Sequence, residues 1–121
     1  MAQAADYEKP DKKLIQVALQ EAKRWASFTS WDLSAVDVKD VAVRSTYLNL
    51  DVQMKEAIAE VPEKFPPIIV SPWGNMLMII DGHHRFAGFV SNRFKRIWVI
   101  VIPEEFSFRF KNQGDWFRVD Y

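Results

Sequence analysis

The sequence predicts an α+β domain with a small mixed sheet and flanking helices. Segments with apolar residues at helical spacing alternate with short apolar runs, in the order helix, strand, helix, hairpin, helix, strand. The 121 residues, 49% hydrophobic and 14% aromatic, suffice for one core, and no repeat or linker divides them. We therefore expect a single domain over residues 1–121, with a helical N-terminal extension to about residue 30 and an aromatic C-terminal tail from about residue 104.

The first half of the chain contains two predicted helices and one predicted strand. Residues 11–28 place apolar side chains at helical spacing and Lys or Gln on the other face, which predicts an amphipathic helix. Residues 29–37 are rich in Ser and Asp and predict a turn, and residues 38–44 follow as a strand. A second helix is expected over residues 50–60 with Asp51 as its N-cap, and the prolines that follow end it.

The second half begins with a predicted hairpin. Two short apolar runs, residues 68–70 and 76–80, flank a Pro-Trp-Gly-Asn turn. A third helix is expected from His83, and a strand over residues 97–102 follows it. The tail alternates phenylalanines with polar residues, which leaves open an edge strand or a segment packed over the sheet. We expect the five tryptophans to lie mostly in the core.

Composition excludes several classes of protein. The absence of cysteine excludes disulfides, thiolate-bound metal sites and a cysteine nucleophile. The longest apolar run is too short to span a bilayer and no targeting segment is visible, so we expect a cytoplasmic protein without a membrane partner. A formal net charge of zero disfavours a protein that coats nucleic acid, although it is compatible with a local cationic patch.

One segment concentrates residue types that bind anions or catalyse reactions. Asp81, Gly82, His83, His84 and Arg85 lie where a predicted strand ends and a predicted helix begins. Free N–H groups and the helix dipole converge on such a first turn, and an arginine there can offer a fork of donors to phosphate. The histidines can bond a ligand or transfer a proton near neutral pH. A purely structural turn, with Asp81 as the helix cap, is the alternative, but the clustering favours a ligand site.

Carboxylates and histidines raise the question of a metal ion. Asp81 beside a phosphate would repel it unless Mg²⁺ intervenes, so Asp81 is a candidate metal ligand or catalytic base. Asp51 is a second candidate for either role. The adjacent His83 and His84 would point about 100° apart on a helix, which makes them a poor pair for one zinc ion. We expect no structural zinc site.

The motif also carries a resemblance to a known superfamily. Gly82-His83-His84-Arg85 resembles the Gly-Cys-His-Arg of sulfiredoxin and the Gly-Glu-Arg-Arg of ParB chromosome-partition proteins, in the same strand, turn and helix setting. The order of elements over about residues 33–103 is also similar. The form with Asp81 in front is similar to that of ParB-like nucleases and of free-serine kinases. The resemblance implies a ParB/sulfiredoxin-like fold whose motif residues hold the phosphates of ATP, ADP or CTP.

The resemblance implies further residue roles and excludes two activities. Arg44 is similar to an arginine that approaches phosphate in sulfiredoxin from the end of the first strand. His83 stands at the position of the sulfiredoxin nucleophile, so sulfiredoxin chemistry is excluded. The partition proteins carry a helix-turn-helix domain after the nucleotide-binding fold, and this chain has no room for one, so partition activity is not expected.

Three functions fit these observations. The first is a phosphoryl-transfer enzyme, an ATP- or ADP-dependent kinase or NTPase, with Asp81 or Asp51 as base or Mg²⁺ ligand and an acceptor that the sequence does not define. The second is a nuclease acting on DNA or RNA phosphodiesters, with His83 or His84 as general acid or base. The third is a non-catalytic nucleotide-sensing or partner-binding accessory protein of the kind that phages and plasmids encode.

Overall fold

The computed structural model describes residues 5–44, 52–112 and 115–118, with the backbone alone at positions 44, 52, 53 and 109. The strands of this part are β1 (Asp32–Asp37), β2 (Val41–Arg44), β3 (Ile68–Trp73), β4 (Met76–Asp81), β5 (Arg96–Val101) and β6 (Trp116–Arg118). Its α-helices are α1 (Lys12–Ala22), α2 (Val52–Glu60), α3 (His83–Ser91) and α4 (Glu105–Phe110). The predicted α+β class, with a mixed sheet and flanking helices, is confirmed.

The sheet has six strands in the order β1-β5-β3-β4-β2-β6. Strand β3 pairs antiparallel with β4 and parallel with β5, and β4 pairs parallel with β2, so the sheet is mixed. The predicted hairpin is therefore at the centre of the sheet. Its turn contains Gly74 at a φ of 62°, a left-handed conformation that glycine adopts without a steric penalty. Strands β1 and β6 form the two edges.

Alternating side chains of the central strands supply two separate cores. Ile68 and Val70 of β3 pack with residues of α2 and α3, whereas Ile69 between them packs on the opposite face with α1 and α4. The sheet is thus the middle of three layers.

The helix α1 begins at Lys12 because the side chain of Asp11 accepts a hydrogen bond of 3.0 Å from the Leu14 N–H.

Close packing of α2 against α3 fixes the position of α3. A Cβ at Gly88 of α3 would lie 2.6 Å from Cδ1 of the fully buried Ile58 in α2, so the helices touch where there is no side chain. Beyond the end of α3, the Asn92 side chain donates hydrogen bonds of 2.8 Å to the Lys55 carbonyl and 2.9 Å to the Gly88 carbonyl. The two helices are therefore joined by packing and by hydrogen bonds.

The N-terminal segment before α1 packs into the same core and holds α3 from another side. The ring of Tyr7 stacks on Phe89 of α3 with ring centroids 5.1 Å apart, and its hydroxyl accepts a hydrogen bond of 3.0 Å from the Trp98 N–H. Asp6 accepts a hydrogen bond of 2.8 Å from the Lys95 N–H. Burial raises the pKa of the Tyr7 hydroxyl well above its usual range.

Several sequence predictions about element boundaries are wrong. The first helix ends at Ala22 rather than at about residue 28, and a turn follows at residues 23–25, after which Ala26 and Phe28 are still buried in the α1 core. The predicted turn at 29–37 contains strand β1, whose Ser and Asp side chains are tolerated because this strand is at an edge. The predicted strand at 38–44 begins with a 3-10 turn and becomes extended at Val41.

The C-terminal tail contains both of the alternatives that the sequence left open, at different residues. Phe106 lies in α4 and is buried over the sheet, and β6 adds an edge strand beside β2. Of the tryptophans, which the sequence predicts to lie mostly in the core, Trp98 and Trp116 are half-buried against it, whereas Trp25 and Trp31 are exposed. No helix in the described part of the chain combines the length and apolar character that a membrane crossing requires.

Candidate functional site

A sharp turn connects β4 to α3, as the sequence predicted. Strand β4 ends at Asp81, and Gly82 follows with φ 99° and ψ 29°, a left-handed conformation that L side chains rarely adopt. Helix α3 begins at His83, and its first hydrogen bond is donated by the Phe86 N–H to the Gly82 carbonyl at 2.9 Å. The backbone thus passes from strand to helix through one residue.

Glycine is needed at position 82 for steric reasons as well. A Cβ there would lie 2.7 Å from Cγ2 of Ile68 and 2.9 Å from Nη2 of Arg85. Real Cβ atoms essentially never come this close to other atoms. The guanidinium of Arg85 therefore folds back toward the turn and lies beside Gly82, in space that any other residue would fill.

The N-cap residue of α3 is Gly82, which has no side chain, and no cap bond is formed there among the described residues. The alternative in which Asp81 caps the helix is therefore not what the structure shows. Asp81 is instead the last residue of β4, half-buried and opposite Ile69 of β3. The first N–H groups of a helix have no partner within the helix, and they carry the positive end of its dipole. This helix start therefore favours an anion.

Arg85 is the most unusual side chain of the site. Its side chain is 14% exposed, and Nη1 lies 3.5 Å from Oε2 of Glu21 in α1. Its Nε and Nη2 atoms are buried and have no hydrogen-bond partner among the described residues. Buried charged donors nearly always have partners, because leaving one unpaired costs about 1–3 kcal/mol or more. The guanidinium therefore has donor capacity that the described protein does not use.

The two histidines of the motif have different environments. His83 is half-buried and its Nε2 atom is buried, whereas His84 is exposed on the next helical position. This difference follows from the rotation of about 100° per residue along a helix. The two imidazoles therefore do not face one common ligand. Among the described residues, no group of three or more His, Asp or Glu side chains is arranged to hold a metal ion.

Two further candidates lie away from the turn in sequence. Arg44 is the last residue of β2, which runs parallel to β4 with Ala42 opposite Met78. The backbone of Arg44 is therefore at the same end of the sheet as Asp81. Asp51, predicted as a cap and a candidate base, lies outside the described residues, so its role stays a prediction.

Sequence reasoning missed Glu21, the residue that contacts Arg85. It lies in the last turn of α1, where the helix carbonyls disfavour a negative charge. A carboxylate at that position is a weak sequence signal for a cationic partner elsewhere in the fold. The partner itself is 64 positions along the chain by the numbering, so no local pattern could have indicated it.

Comparisons with known proteins give a distant structural likeness. No family model and no curated protein matches the chain. A solved structure of a mutant free serine kinase in complex with AMP is similar with a TM-score of 0.45 and 20% sequence identity, and the match covers 79% of this chain. The matched region is 34% of the kinase chain, so this protein spans about a third of its length. At this identity and TM-score, the likeness assigns neither a ligand nor an activity.

Proposed function

We propose that this protein binds a nucleotide through its phosphates at the turn 81–85 and acts as a phosphoryl-transfer enzyme. The observation that carries the proposal is the buried guanidinium of Arg85, whose Nε and Nη2 have no hydrogen-bond partner among the described residues. This guanidinium lies beside the first turn of α3, where the N–H groups and the dipole also favour an anion. A ligand with several negatively charged oxygens would suit both features, since Glu21 contacts Nη1 alone.

A phosphate group has the shape and charge to fill this site. Two of its oxygens can accept the parallel N–H bonds of an arginine fork, and a third can accept from the backbone at a helix start. A carboxylate offers two oxygens and one charge, so it would satisfy fewer of these donors. The terminal phosphate of ATP or ADP therefore matches the site better than a simple carboxylic acid does.

The chemistry proposed for the site requires little besides positioning and charge. Phosphoryl transfer is accelerated mainly by holding the phosphate in place and neutralising its charge, which Arg85 and the start of α3 would do. Asp81 is the proposed base or Mg²⁺ ligand, and His83 is the proposed proton donor or acceptor. Mg²⁺ takes few protein ligands and completes its shell with phosphate oxygens and water, so one carboxylate is compatible with it.

Calorimetric titration with ATP, ADP and CTP, each with and without Mg²⁺, tests nucleotide binding. We expect saturable binding to the wild type and at least a roughly tenfold loss in Arg85→Ala, because hydrogen bonds to charged groups contribute about 1.5–3 kcal/mol. Arg85→Lys keeps the charge but loses the fork, and should recover little of the affinity. Arg118→Ala removes an exposed positive charge from β6 and serves as the matched control. Wild-type affinity in Arg85→Ala would refute the site.

Phosphorus NMR of ATP incubated with the protein tests transfer. We expect the γ-phosphate signal to move to inorganic phosphate, or to a new ester when an alcohol acceptor is added. Asp81→Asn should keep nucleotide binding and lose this turnover, because the amide is neither a base nor a good Mg²⁺ ligand. Unchanged turnover in Asp81→Asn would remove that residue from the mechanism. A short single-stranded DNA in the same assay tests phosphodiester cleavage.

A further inference from the structure

The ion pair between Glu21 and Arg85 joins α1 to the first turn of α3. These elements belong to opposite faces of the sheet, since α1 packs in one core and α3 in the other. The position of Glu21 is fixed by its helix, because Ala18 and Ala22 on either side of it in α1 are completely buried. Glu21 therefore stands at the end of the sheet where the proposed phosphate site lies.

The helix that carries Glu21 does not favour a carboxylate at that position. Glu21 is in the last turn of α1, beside the negative end of the helix dipole, and no basic residue accompanies it in that turn. The charge partner that the structure shows for it is Arg85. The placement of this carboxylate is thus explained by the site and not by the helix.

The ion pair is incomplete in a way that permits exchange. It joins Nη1 to Oε2 at 3.5 Å, longer than the 2.7–2.9 Å of strong charge-assisted hydrogen bonds, and the fork of Arg85 is not used. The Glu21 side chain is 38% exposed and can rotate into water, whereas that of Arg85 is 14% exposed. A phosphate could therefore replace the carboxylate at Nη1, and the guanidinium would then have to turn for the buried Nε and Nη2 to meet the same phosphate.

We infer that Glu21 is an internal competitor of the ligand, a carboxylate that neutralises Arg85 in the free protein and is displaced when a phosphate binds. This inference rests on the proposed phosphate site and adds a residue that sets its affinity. Glu21 lowers the affinity in two ways, by occupying one nitrogen of the guanidinium and by repelling the incoming negative charge. A weak monoanion gains little from the exchange, whereas a phosphate that engages Nε and Nη2 gains two further hydrogen bonds.

The test compares wild type, Glu21→Gln and Glu56→Gln in titrations with ATP and with inorganic pyrophosphate. Glutamine keeps the shape and removes the charge, and Glu56 is an exposed glutamate of α2 that controls for net charge. We expect Glu21→Gln to bind roughly three- to tenfold more tightly, the range expected for a partly exposed ion pair and its repulsion, and Glu56→Gln to match the wild type. The ratio of the wild-type Kd to the Glu21→Gln Kd should also shrink at high salt, because salt screens the repulsion between Glu21 and the ligand.

Each result separates this inference from the proposed function. Tighter binding by Glu21→Gln alone supports the competitor role, including the case in which the wild type binds too weakly to detect. Equal or weaker binding by Glu21→Gln overturns it. If Arg85→Ala loses binding in the same titrations, the proposed phosphate site still stands and only the competitor role of Glu21 is refuted. Equal tightening in both glutamine variants also overturns it, because the effect would then be one of net charge. Absence of binding in all three proteins overturns the inference and the proposed function together.

Discussion

Replacing Gly82 by alanine tests the steric account of the turn, because Gly74 provides a matched control. Both glycines have positive φ, 99° at Gly82 and 62° at Gly74. A Cβ at Gly74 meets nothing within 4 Å, whereas one at Gly82 would lie 2.7 Å from Cγ2 and 3.1 Å from Cβ of the buried Ile68. Both alanine variants therefore carry the strain of a positive φ, which is at least as large at Gly82, and only Gly82→Ala adds the clash.

The expected magnitudes follow from these two contributions. A non-glycine residue in the left-handed region lowers the free energy of unfolding by about 1–2 kcal/mol, and this loss applies to both variants. Overpacking costs about 1–3 kcal/mol more and applies to Gly82→Ala alone, since the Cβ of Ile68 is next to the backbone and cannot swing away. Gly82→Ala should therefore be less stable than Gly74→Ala by about 1–3 kcal/mol, or about 4–12 °C in Tm for a chain of this length.

Urea unfolding followed by tryptophan fluorescence measures this difference. If Gly82→Ala is no less stable than Gly74→Ala within about 0.5 kcal/mol, the crowding at the turn is refuted. A second readout is nucleotide affinity. The added Cβ would lie 2.9 Å from Nη2 of Arg85 and displace the guanidinium, so Gly82→Ala should weaken binding while Gly74→Ala leaves it unchanged.

Three further predictions concern stability. Because burial raises the pKa of Tyr7, the hydroxyl loses its proton at lower pH in the unfolded chain than in the folded protein. The free energy of unfolding should therefore fall as pH rises above about 10, by up to about 1.4 kcal/mol per pH unit. Tyr7→Phe should lose that slope in urea titrations across this pH range. In Gly88→Ala the clash with Cδ1 of Ile58 should cost about 1–3 kcal/mol, offset by about 1 kcal/mol of helix propensity, and Gly88→Ala should destabilise an Ile58→Val background, which lacks that atom, by less than it destabilises the wild type in the same assay. Ser71→Ala should lose about 0.5–1.5 kcal/mol and speed amide exchange at Ser107, because the Ser107 N–H loses its bond of 3.0 Å to the Ser71 hydroxyl and keeps the one of 3.0 Å to the Glu104 carbonyl.

The parts of the fold that the sequence predicted correctly are those specified by nearby residues. The hairpin follows from two apolar runs around a turn with Gly74, and the start of α3 follows from Gly82 after an apolar strand. The end of α3 before β5 is likewise marked by local polar residues. In each case the physical cause is a positive φ or a change in the spacing of apolar residues from that of a strand to that of a helix. Such causes act within a few residues and are therefore visible in the sequence.

The errors arise where tertiary packing overrides a local pattern. The segment with Ser34 and Asp37 has turn composition, yet it forms β1 because β5 offers an antiparallel partner with Asp37 opposite Arg96. Residues 23–28 carry apolar side chains that extend the helical pattern, but Trp25 is exposed, and Ala26 and Phe28 reach the same core as α1 from a backbone that is not helical. The Glu21–Arg85 pair depends on how two cores are stacked on one sheet, which no window of sequence contains.

The way in which α3 is held explains why Arg85 keeps unpaired donors. Phe86 and Phe89 are buried against the sheet, Gly88 lies against α2, and Tyr7 stacks on Phe89 from the N-terminal segment. A helix fixed on three sides cannot shift to give its arginine new partners, so the guanidinium stays buried with free Nε and Nη2 among the described residues. The core thus offsets the cost of an unsatisfied cation. A ligand that supplies the missing acceptors requires only the Arg85 side chain to turn toward it, because the helix that carries this side chain is already held in place.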